Sequence, residues 1–388
     1  MKKKILIITS TRADYGILSN LINLIKNDKL LNLKLLVTGS HLSKDKFSSF
    51  SEITDQKIKI NKILNIRFKN SNLKDTVNIF SKSIIEFKKA FDLIKPDLIL
   101  ILGDRFEIFA ATLSAFFYRI PIAHIHGGEV TRGAFDDSIR HSITKLSNFH
   151  FVTNKEHFKR VCQLGENPKN IYLVGSLSSE NIRKSIKKSK KQIEEKFNLK
   201  FKKKNILVTF HPVTLQKDFG KQDFTKMINV LKTYNKFGII FTSSNLDVYN
   251  DHFKKKIKQF VKKNKNAYMI ESFGKDYYFS TLNIIDCMIG NSSSGVLESP
   301  AFKLPVINLG NRQEGRYKNK NIINLKSDFN EKELNKKIKY AISPQFKKKL
   351  KKLVDLNYKG NSSNKVLKII RDLNLKKNNL KKFYDIKF

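Results

Sequence analysis

Short apolar runs recur along the chain, and each ends in a polar or glycine turn that leads into a longer amphipathic stretch. Continuous apolar strands that alternate with helical patterns indicate βαβ units, whose parallel sheets are covered by helices on both faces. The sequence therefore predicts an α/β protein built from doubly wound, Rossmann-like parallel sheets. The predicted strands are residues 4–9, 33–38, 97–102, 120–125, 149–153 and 171–174, then 205–210, 237–242, 267–271, 284–289 and 305–309.

A lysine-rich segment, residues 185–204, separates the two series of strands and has few apolar positions. A chain of 388 residues is long enough for two domains of roughly 100–200 residues each. We therefore predict a first domain over residues 1–180 and a second over residues 205–363. A third segment, residues 364–388, begins with an amphipathic pattern that predicts a helix over 364–374, with apolar positions at Val366, Ile369, Ile370 and Leu373.

The net charge of +42 suggests nucleic-acid binding, but the kind of charge argues against it. Of the 76 basic residues 11 are Arg, which leaves 65 Lys spread over the chain. Specific readers of bases and phosphates favour the bidentate fork of Arg. No zinc-finger, basic-zipper or RNP pattern occurs. A solvated lysine surface is the preferred interpretation, and we expect no specific nucleic-acid partner. Six Arg lie in or beside the polar clusters described next: Arg12, Arg105, Arg132, Arg140, Arg312 and Arg316.

Several classes of protein are disfavoured by what the sequence lacks. No apolar run approaches the roughly 18 residues of a membrane span, and the apolar stretch at the start is too short for a signal peptide. Cys162 and Cys287 are far apart, which excludes a disulfide framework and a cysteine-zinc motif. Neither GxGxxG after the first strand nor GxxxxGK[ST] occurs. We expect a cytoplasmic protein without a membrane partner.

Two polar clusters follow predicted strands in the first domain. The first, TSTRADYG at residues 9–16, places hydroxyl groups and Arg12 at a helix start, which suits a phosphate. A plain N-cap with a surface Arg explains it equally well. The second, GDRFE at residues 103–107, places Asp104 at a strand end beside Arg105, as expected of a catalytic carboxylate. An N-cap for the following helix is the alternative.

The third cluster is the densest and combines HIHGGE at residues 124–129 with DDSIRH at residues 136–141. Strand alternation would put His124 and His126 on one face, which is also a metal-ligand spacing. With no Cys nearby and phosphate-type clusters elsewhere, acid/base chemistry is preferred over metal binding. The pair Asp136 and Asp137 could also cap a helix.

The fourth set lies in the second domain, where His211 follows one strand and the segment 243–245 (SSN) follows another. GNSSSG at residues 290–295 then leads into a helix that carries Glu298. Serine hydroxyls and backbone N–H groups at a helix start can hold a diphosphate, and a carboxylate one turn later can reach ribose hydroxyls. A serine-rich turn with an N-cap is the alternative. The segment 310–316 could close the site with two guanidiniums.

Together these motifs resemble the hydrolysing UDP-N-acetylglucosamine 2-epimerases of bacterial sialic-acid and legionaminic-acid biosynthesis. The resemblance runs in order through TSTRADYG, LGDRFEIF, HIHGGE, DDSIRHSITKLS, QLGENP, VGSL, TFHPVT, GNSSSGVLESP and INLGNRQEGR, and the closing residues 383–386 (FYDI) also match. It implies a two-domain glycosyltransferase-B fold with a catalytic, sugar-binding first domain, a UDP-binding second domain, and a C-terminal helix and tail that cross back to the first.

The resemblance also implies the chemistry: anti elimination of UDP to a 2-acetamidoglucal, then addition of water at C1 and of a proton at C2. UDP-N-acetylglucosamine would give N-acetylmannosamine and UDP, without a metal or cofactor. The implied catalytic carboxylates are Asp104, Asp136 and Asp137. Residues implied in binding UDP or the substrate are Arg12, Arg105, His211, Asn245, Ser292, Ser293, Glu298 and Arg312. Family precedent predicts a dimer or tetramer.

Two departures from the family pattern bear on the base and the sugar. Many relatives have a Glu where this chain has His126, so His126 or Glu129 is the candidate substitute. The loop after residues 39–42 (GSHL) has Lys46 and Phe47 where relatives often have Tyr-Gly. UDP-2,4-diacetamido-2,4,6-trideoxyglucose is therefore a second candidate substrate, and a UDP-sugar transferase on the same fold is the alternative activity.

Overall fold

The computed structural model of the chain describes residues 2–42, 53–54, 57–66, 73–131, 135–213, 216–242, 250–316, 318–355, 357–375 and 381–386. Over these residues the chain packs as two compact units. The first unit comprises Met1–Glu129, Asp136–Asn181 and Asn357–Phe388, and the second comprises Val130–Phe135 and Ile182–Leu356. No described helix has the length and hydropathy to cross a lipid bilayer.

The described part of the first unit contains a parallel sheet of seven strands in the order β3-β2-β1-β4-β5-β6-β7. Its strands are β1 (Lys3–Thr9), β2 (Leu31–Val37), β3 (Lys62–Ile63), β4 (Leu98–Leu102), β5 (Ile122–Ile125), β6 (Phe149–Val152) and β7 (Ile171–Leu173). Its helices are α1 (Arg12–Lys26), α2 (Leu73–Ile94), α3 (Phe106–Phe117), α4 (Asp136–Leu146), α5 (Lys155–Gln163), α6 (Leu177–Lys184), which ends in the second unit, and α14 (Ser362–Asp372).

Both faces of this sheet are buried, as its continuous apolar strands require. In β1, Ile5 and Ile7 point into one core with α1 and α14, while Leu6 and Ile8 point into the other. Each fully buried side chain of this size contributes roughly 1.5–3 kcal/mol relative to an exposed one. The C-terminal helix α14 adds Val366 to the core that α1 lines. Residues 362–372 thus pack with the start of the chain.

The second unit repeats the arrangement with six described strands in the order β10-β9-β8-β11-β12-β13. They are β8 (Asn205–Thr209), β9 (Gly238–Thr242), β10 (Ala267–Ile270), β11 (Cys287–Gly290), β12 (Val306–Leu309) and β13 (Ile322–Leu325). The helices are α7 (Lys190–Phe197), α8 (Lys221–Lys232), α9 (Asn250–Lys263), α10 (Lys275–Leu282), α11 (Ser293–Leu297), α12 (Glu331–Ala341) and α13 (Pro344–Leu350).

The strand order places the polar loops of each unit side by side. In the first sheet β1 and β4 are neighbours, and β5 lies next to β4. In the second sheet β8 and β11 are neighbours, and β12 lies next to β11. Since parallel strands end at the same edge, the loops that follow them meet there, which is where doubly wound sheets bind ligands.

Candidate functional site

The loop after β1 forms a polar start to α1. Thr11 is the N-cap, and its hydroxyl accepts a hydrogen bond from the backbone N–H of Asp14 at 3.1 Å. Ser10 donates to the Asp14 carboxylate at 2.8 Å. Burial raises the pKa of Asp14, and the nearby guanidinium of Arg105 opposes that rise. Arg12 is the first residue of α1, and the N-cap that the sequence suggested is Thr11. The phosphate interpretation of this motif stays a prediction.

Arg105 and His41 lie close to this turn. Arg105 Nε donates to Oε1 of the fully buried Glu107 at 2.7 Å, which fixes the guanidinium at the end of β4. His41 Nε2 lies 2.9 Å from Thr9 Oγ1. Burial, together with the positive charges of Arg105 and Arg12, lowers the pKa of His41 to about 4. His41 is therefore neutral near pH 7 and leaves the positive charge here to the two Arg.

Arg140 on α4 brings together residues of the second and third clusters. Its side chain is 2% exposed, and it forms an ion pair with Asp104 from the loop after β4. It also donates to the backbone oxygen of Glu129 at 3.0 Å and lies 3.6 Å from Asp137 Oδ1. We call Asp104, His126, Glu129, Asp137 and Arg140 the Arg140 network. A buried guanidinium with several acceptors fixes the carboxylates around it.

The aspartates of this network are not N-caps. The N-cap of α3 is Arg105, whose side chain makes no capping hydrogen bond, so Asp104 precedes the helix and its carboxylate pairs with Arg140 instead. Asp136 and Asp137 both lie in the first turn of α4, where the helix dipole favours negative charge.

The expectation that His124 and His126 share one strand face is wrong. Strand β5 ends at Ile125, and His126 has a backbone φ of 68°, which breaks the alternation. The His126 ring instead lies beside Glu129, with 3.3 Å between Nδ1 and Oε1. His124 is fully buried between Gly103 O, at 2.8 Å, and Thr144 Oγ1, at 3.1 Å. Burial lowers the pKa of His124 to about 3, so its ring is neutral near pH 7. His124 therefore connects the loop after β4 to α4 through hydrogen bonds and does not act as an acid or base.

In the second unit, Asn291 organises the loops at the ends of three neighbouring strands. Its side chain accepts from the backbone N–H of His211 at 2.7 Å and donates to the backbone oxygen of His211 at 2.8 Å. Its own backbone oxygen accepts from Arg312 Nη1 at 3.1 Å and from Gln313 Nε2 at 2.9 Å. We call Asn291, His211, Arg312 and Gln313 the Asn291 cluster.

The serine-rich turn after β11 continues this cluster. Ser292 is the N-cap of α11, and Ser293 is its first residue. Ser294 Oγ donates to Glu298 Oε2 at 2.6 Å and lies 2.5 Å from the hydroxyl of Tyr278. Burial, with the negative charge of Glu298, raises the pKa of Tyr278, so this phenol stays protonated. Glu298 is thus held one turn from the serines.

Most of the predicted site residues fall into these two groups. Asp104, His126, Glu129 and Asp137 meet in the Arg140 network, Asp136 lies at the start of the same helix, and Arg12 and Arg105 lie in the loops after β1 and β4. His211, Ser292, Ser293, Glu298 and Arg312 lie around Asn291 in the second unit. Asn245, with Arg132, Lys46 and Phe47, lies outside the described residues.

Sequence reasoning did not assign the two residues that organise these groups. Arg140 sits at an ordinary helical position, and Asn291 lay inside a motif interpreted through its serines. The signal that could have marked Arg140 is its i+3 spacing from Asp137. Within the described part of the chain, no group of three or more His, Cys, Asp or Glu is placed to hold a metal ion.

Comparison with known proteins identifies the family. The profile of the UDP-N-acetylglucosamine 2-epimerase family matches residues 23–371. A Campylobacter jejuni protein named GDP/UDP-N,N'-diacetylbacillosamine 2-epimerase (hydrolyzing) is 36% identical over 387 residues, 99% of this chain and 100% of that protein. A Legionella pneumophila protein named UDP-N,N'-diacetylbacillosamine 2-epimerase (hydrolyzing) is 30% identical over 84% of this chain and 85% of its own length.

A solved structure confirms the predicted fold class. The Neisseria meningitidis UDP-GlcNAc 2-epimerase bound to UDP-GlcNAc aligns with a TM-score of 0.77 over 95% of this chain and 99% of its own, at 20% identity. That likeness concerns the fold: two doubly wound parallel sheets of the glycosyltransferase-B class. With the family profile covering most of the chain and two relatives aligned over most of their length, the protein belongs to the UDP-N-acetylglucosamine 2-epimerase family.

Proposed function

We propose that this protein is a hydrolysing UDP-sugar 2-epimerase that converts a UDP-2-acetamido sugar and water into the free C2-epimeric sugar and UDP. The observation that carries the proposal is the Arg140 network, in which a buried guanidinium gathers carboxylates and a His–Glu pair. Epimerisation at C2 requires groups that remove and return a proton at a weakly acidic carbon. The network supplies several such groups within one small region.

The first step of the proposed reaction is an anti elimination. A base removes the C2 proton, its electron pair forms the C1–C2 double bond, and the C1–O bond breaks so that UDP leaves with the bonding pair. We assign the base to His126 with Glu129, 3.3 Å apart, because a carboxylate beside an imidazole orients the ring and stabilises its protonated form. By the family resemblance, His126 stands where many relatives carry a Glu, and Glu129 follows three residues later.

The second step hydrates the resulting 2-acetamidoglucal. The oxygen of water bonds to C1 as one of its O–H bonds breaks, and the C1–C2 double bond becomes single as a proton is delivered to C2 on the face opposite to the first removal, which inverts C2. The proton released by water replaces the one delivered to C2, so the hydrolysis balances. We assign this face to Asp104, with Asp137 and Asp136 nearby at the start of α4. Arg140 holds Asp104 and approaches Asp137, so their carboxylates keep a fixed orientation.

The leaving group is assigned to the Asn291 cluster and the serine turn beside it. Backbone N–H groups at Ser292 and Ser293, with Arg312, would stabilise the developing charge on the diphosphate. Glu298 would accept hydrogen bonds from the ribose, and His211 would contact the nucleotide. Arg12 and Arg105 are proposed to contact the diphosphate or the sugar. Asn245 stays a predicted UDP contact.

The sugar is proposed to be 2,4-diacetamido-2,4,6-trideoxyglucose, the N,N'-diacetylbacillosamine that the two aligned relatives are named for. UDP-N-acetylglucosamine, giving N-acetylmannosamine for sialic-acid synthesis, is the second candidate. It is supported by the description of the family. The Campylobacter name includes GDP, so the nucleotide also needs a direct test.

The test is product analysis in deuterated water with three substrates in parallel: UDP-diacetylbacillosamine, GDP-diacetylbacillosamine and UDP-N-acetylglucosamine. We expect release of UDP together with a free 2-epimeric sugar that carries one deuterium at C2, and the largest kcat/KM with UDP-diacetylbacillosamine. Mass spectrometry and proton NMR of the sugar provide the measurement.

Other results of this experiment would identify a different activity, rule out the proposed function or change the preferred substrate. Transfer of the sugar to an acceptor with the C2 proton retained would identify a glycosyltransferase. Release of no nucleoside diphosphate from any of the three substrates would rule out the proposed function. A higher kcat/KM with UDP-N-acetylglucosamine would reverse the order of the two candidate sugars.

A further inference from the structure

Residues 381–386, which the proposed reaction does not use, are bound to the first unit at the end of α4. Lys381 Nζ donates to the backbone oxygen of Ser147 at 2.7 Å and of Thr144 at 3.3 Å, and it also contacts that of Lys145. The last carbonyls of a helix have no partner within the helix, and a lysine that bonds them acts as a C-terminal cap. Lys381 therefore caps the helix that carries Asp136, Asp137 and Arg140.

The capping ammonium is held by a buried group of charges. Lys381 Nζ lies 2.7 Å from Oε2 of Glu166, whose side chain is only 3% exposed. The same oxygen lies 3.0 Å from Nε2 of the fully buried His150, and Lys145 Nζ lies 3.0 Å from the other oxygen. Burial lowers the pKa of Lys381 to about 8, and Glu166 opposes that effect. A buried charge pair of this kind is retained only where its geometry is well satisfied.

Three further contacts fix the segment. The backbone N–H of Tyr384 donates to Gly165 O at 3.0 Å. The Phe383 ring lies against Gly165, where a Cβ would come within 2.3 Å of the ring, and Lys145 Nζ lies 4.6 Å from the ring centroid. We call Lys381, Phe383 and Tyr384 the C-terminal clasp. Only a glycine at position 165 lets the Phe383 ring come this close to the backbone. The C-terminal clasp therefore has one defined position on the loop after α5.

A short series of hydrogen bonds connects the C-terminal clasp to the Arg140 network. Thr144, whose backbone oxygen accepts from Lys381, has its hydroxyl 3.0 Å from Arg140 O and 3.1 Å from His124 Nδ1. His124 in turn bonds Gly103 O, next to Asp104. Arg140 is one helical turn from Thr144 and forms the ion pair with Asp104. Thr144 therefore links Lys381 and His124 to the turn of α4 that carries Arg140.

We propose that Lys381 is a positioning residue for the reaction: by capping α4 it fixes the pairing of Arg140 with Asp104. This inference rests on the proposed function for its kinetic consequence. Without the cap, the last turn of an 11-residue helix frays, and Thr144 loses its fixed place beside His124 and Arg140. Misplacement of a catalytic group by about 1 Å can reduce the rate of the chemical step by about 100-fold. Lys381 is not among the proposed nucleotide contacts, so UDP binding should be retained.

The experiment compares Lys381→Met, Lys381→Arg and the neighbouring Lys382→Met, whose side chain is exposed, in the full chain. We expect Lys381→Met to lower kcat by about 10-fold or more, with KM and the Kd for UDP within about 2-fold of wild type. Lys381→Arg, which keeps the charge and the donors, should recover most of kcat. Lys382→Met should match wild type. Rates are expressed per UDP-binding chain, so a misfolded fraction does not count.

Hydrogen exchange of the same proteins gives a readout that does not need turnover. Backbone amides of residues 136–147 should exchange faster in Lys381→Met alone, with residues of the second unit unchanged as an internal reference. Equal kcat and equal exchange in Lys381→Met and Lys382→Met would overturn the proposal, as would a change in KM or UDP affinity in place of kcat. If no substrate releases UDP, the proposed function fails while exchange still decides the capping role.

Discussion

Arg140 shows how one buried cation can define a site that sequence motifs only outline. Asp104 and Asp137 stand out in the sequence because each lies at a strand end or a helix start. Their common partner is an ordinary helical residue, and only its burial and its ion pair reveal its role. At this scale the sequence could predict which residue types carry the chemistry. It could not predict the left-handed backbone at His126, where φ is 68°.

The residue whose role is most directly testable is Asp104. Asp104→Asn removes the charge and the carboxyl group that can exchange a proton but keeps the shape, so we expect turnover to fall by about 100-fold or more. The Kd for UDP should change little, because Asp104 is not among the proposed nucleotide contacts. Asp92→Asn is the control, since Asp92 is an exposed carboxylate paired with Lys88. Turnover of Asp104→Asn close to that of the control would remove Asp104 from the mechanism.

At the scale of elements, the sequence predicted the central strands of both sheets but not two edge strands. β3 has two residues, and β13 is interrupted by Asn324 and partly exposed. Edge strands are covered on fewer sides, so they carry a weaker apolar pattern than the central strands. The lysine-rich segment 185–204 contains α7, which begins at a capping box formed by Ser189. The helix buries only Ile193, so its sequence shows little apolar periodicity.

The loop between β5 and α4 depends on close packing with α5. Gly128 has a φ of 77°, and a Cβ there would lie 2.5 Å from the backbone oxygen of His157. Arg160 of the same helix also bonds Gly128 O. This contact holds the turn that presents His126 and Glu129.

Gly128→Ala should therefore destabilise the first unit by about 2–4 kcal/mol, from backbone strain and overpacking together. Gly360→Ala is a matched control with a φ of 67° and no atom within 4 Å of the added methyl, so it should cost only the strain of about 1–2 kcal/mol. Urea unfolding followed by circular dichroism measures both. Equal losses would show that the contact with α5 does not matter.

At the scale of the whole molecule, the two units differ in their histidines. The first unit buries His41, His124 and His150, and burial lowers the pKa of all three. The histidines of the second unit are His211 and His252, and His252 is exposed. When the pH falls below the ordinary histidine pKa, these histidines take up protons in the unfolded chain but stay neutral in the folded unit. The folded first unit then binds fewer protons than the unfolded chain.

The stability of the first unit should therefore fall as the pH drops from about 6.5 towards 4, by up to about 1.4 kcal/mol per pH unit for each buried histidine. Hydrogen exchange at pH 7 and pH 5, corrected for intrinsic rates, separates the units. We expect global protection to fall more in the first unit, and His41→Asn to reduce that fall. An equal loss in both units, or a gain in the first, would contradict the assignment.

The return of the last residues to the first unit also sets an order on folding during synthesis. Lys3 bonds Leu373 O at 2.8 Å, Arg371 pairs with Asp28, and Lys381 caps α4. The ribosome must therefore translate the whole second unit before the first unit can close. A nascent chain that stalls before residue 357 would expose the apolar face of α1 and leave α4 without its cap. Exposed apolar surface promotes aggregation, so we expect the incomplete first unit to bind chaperones.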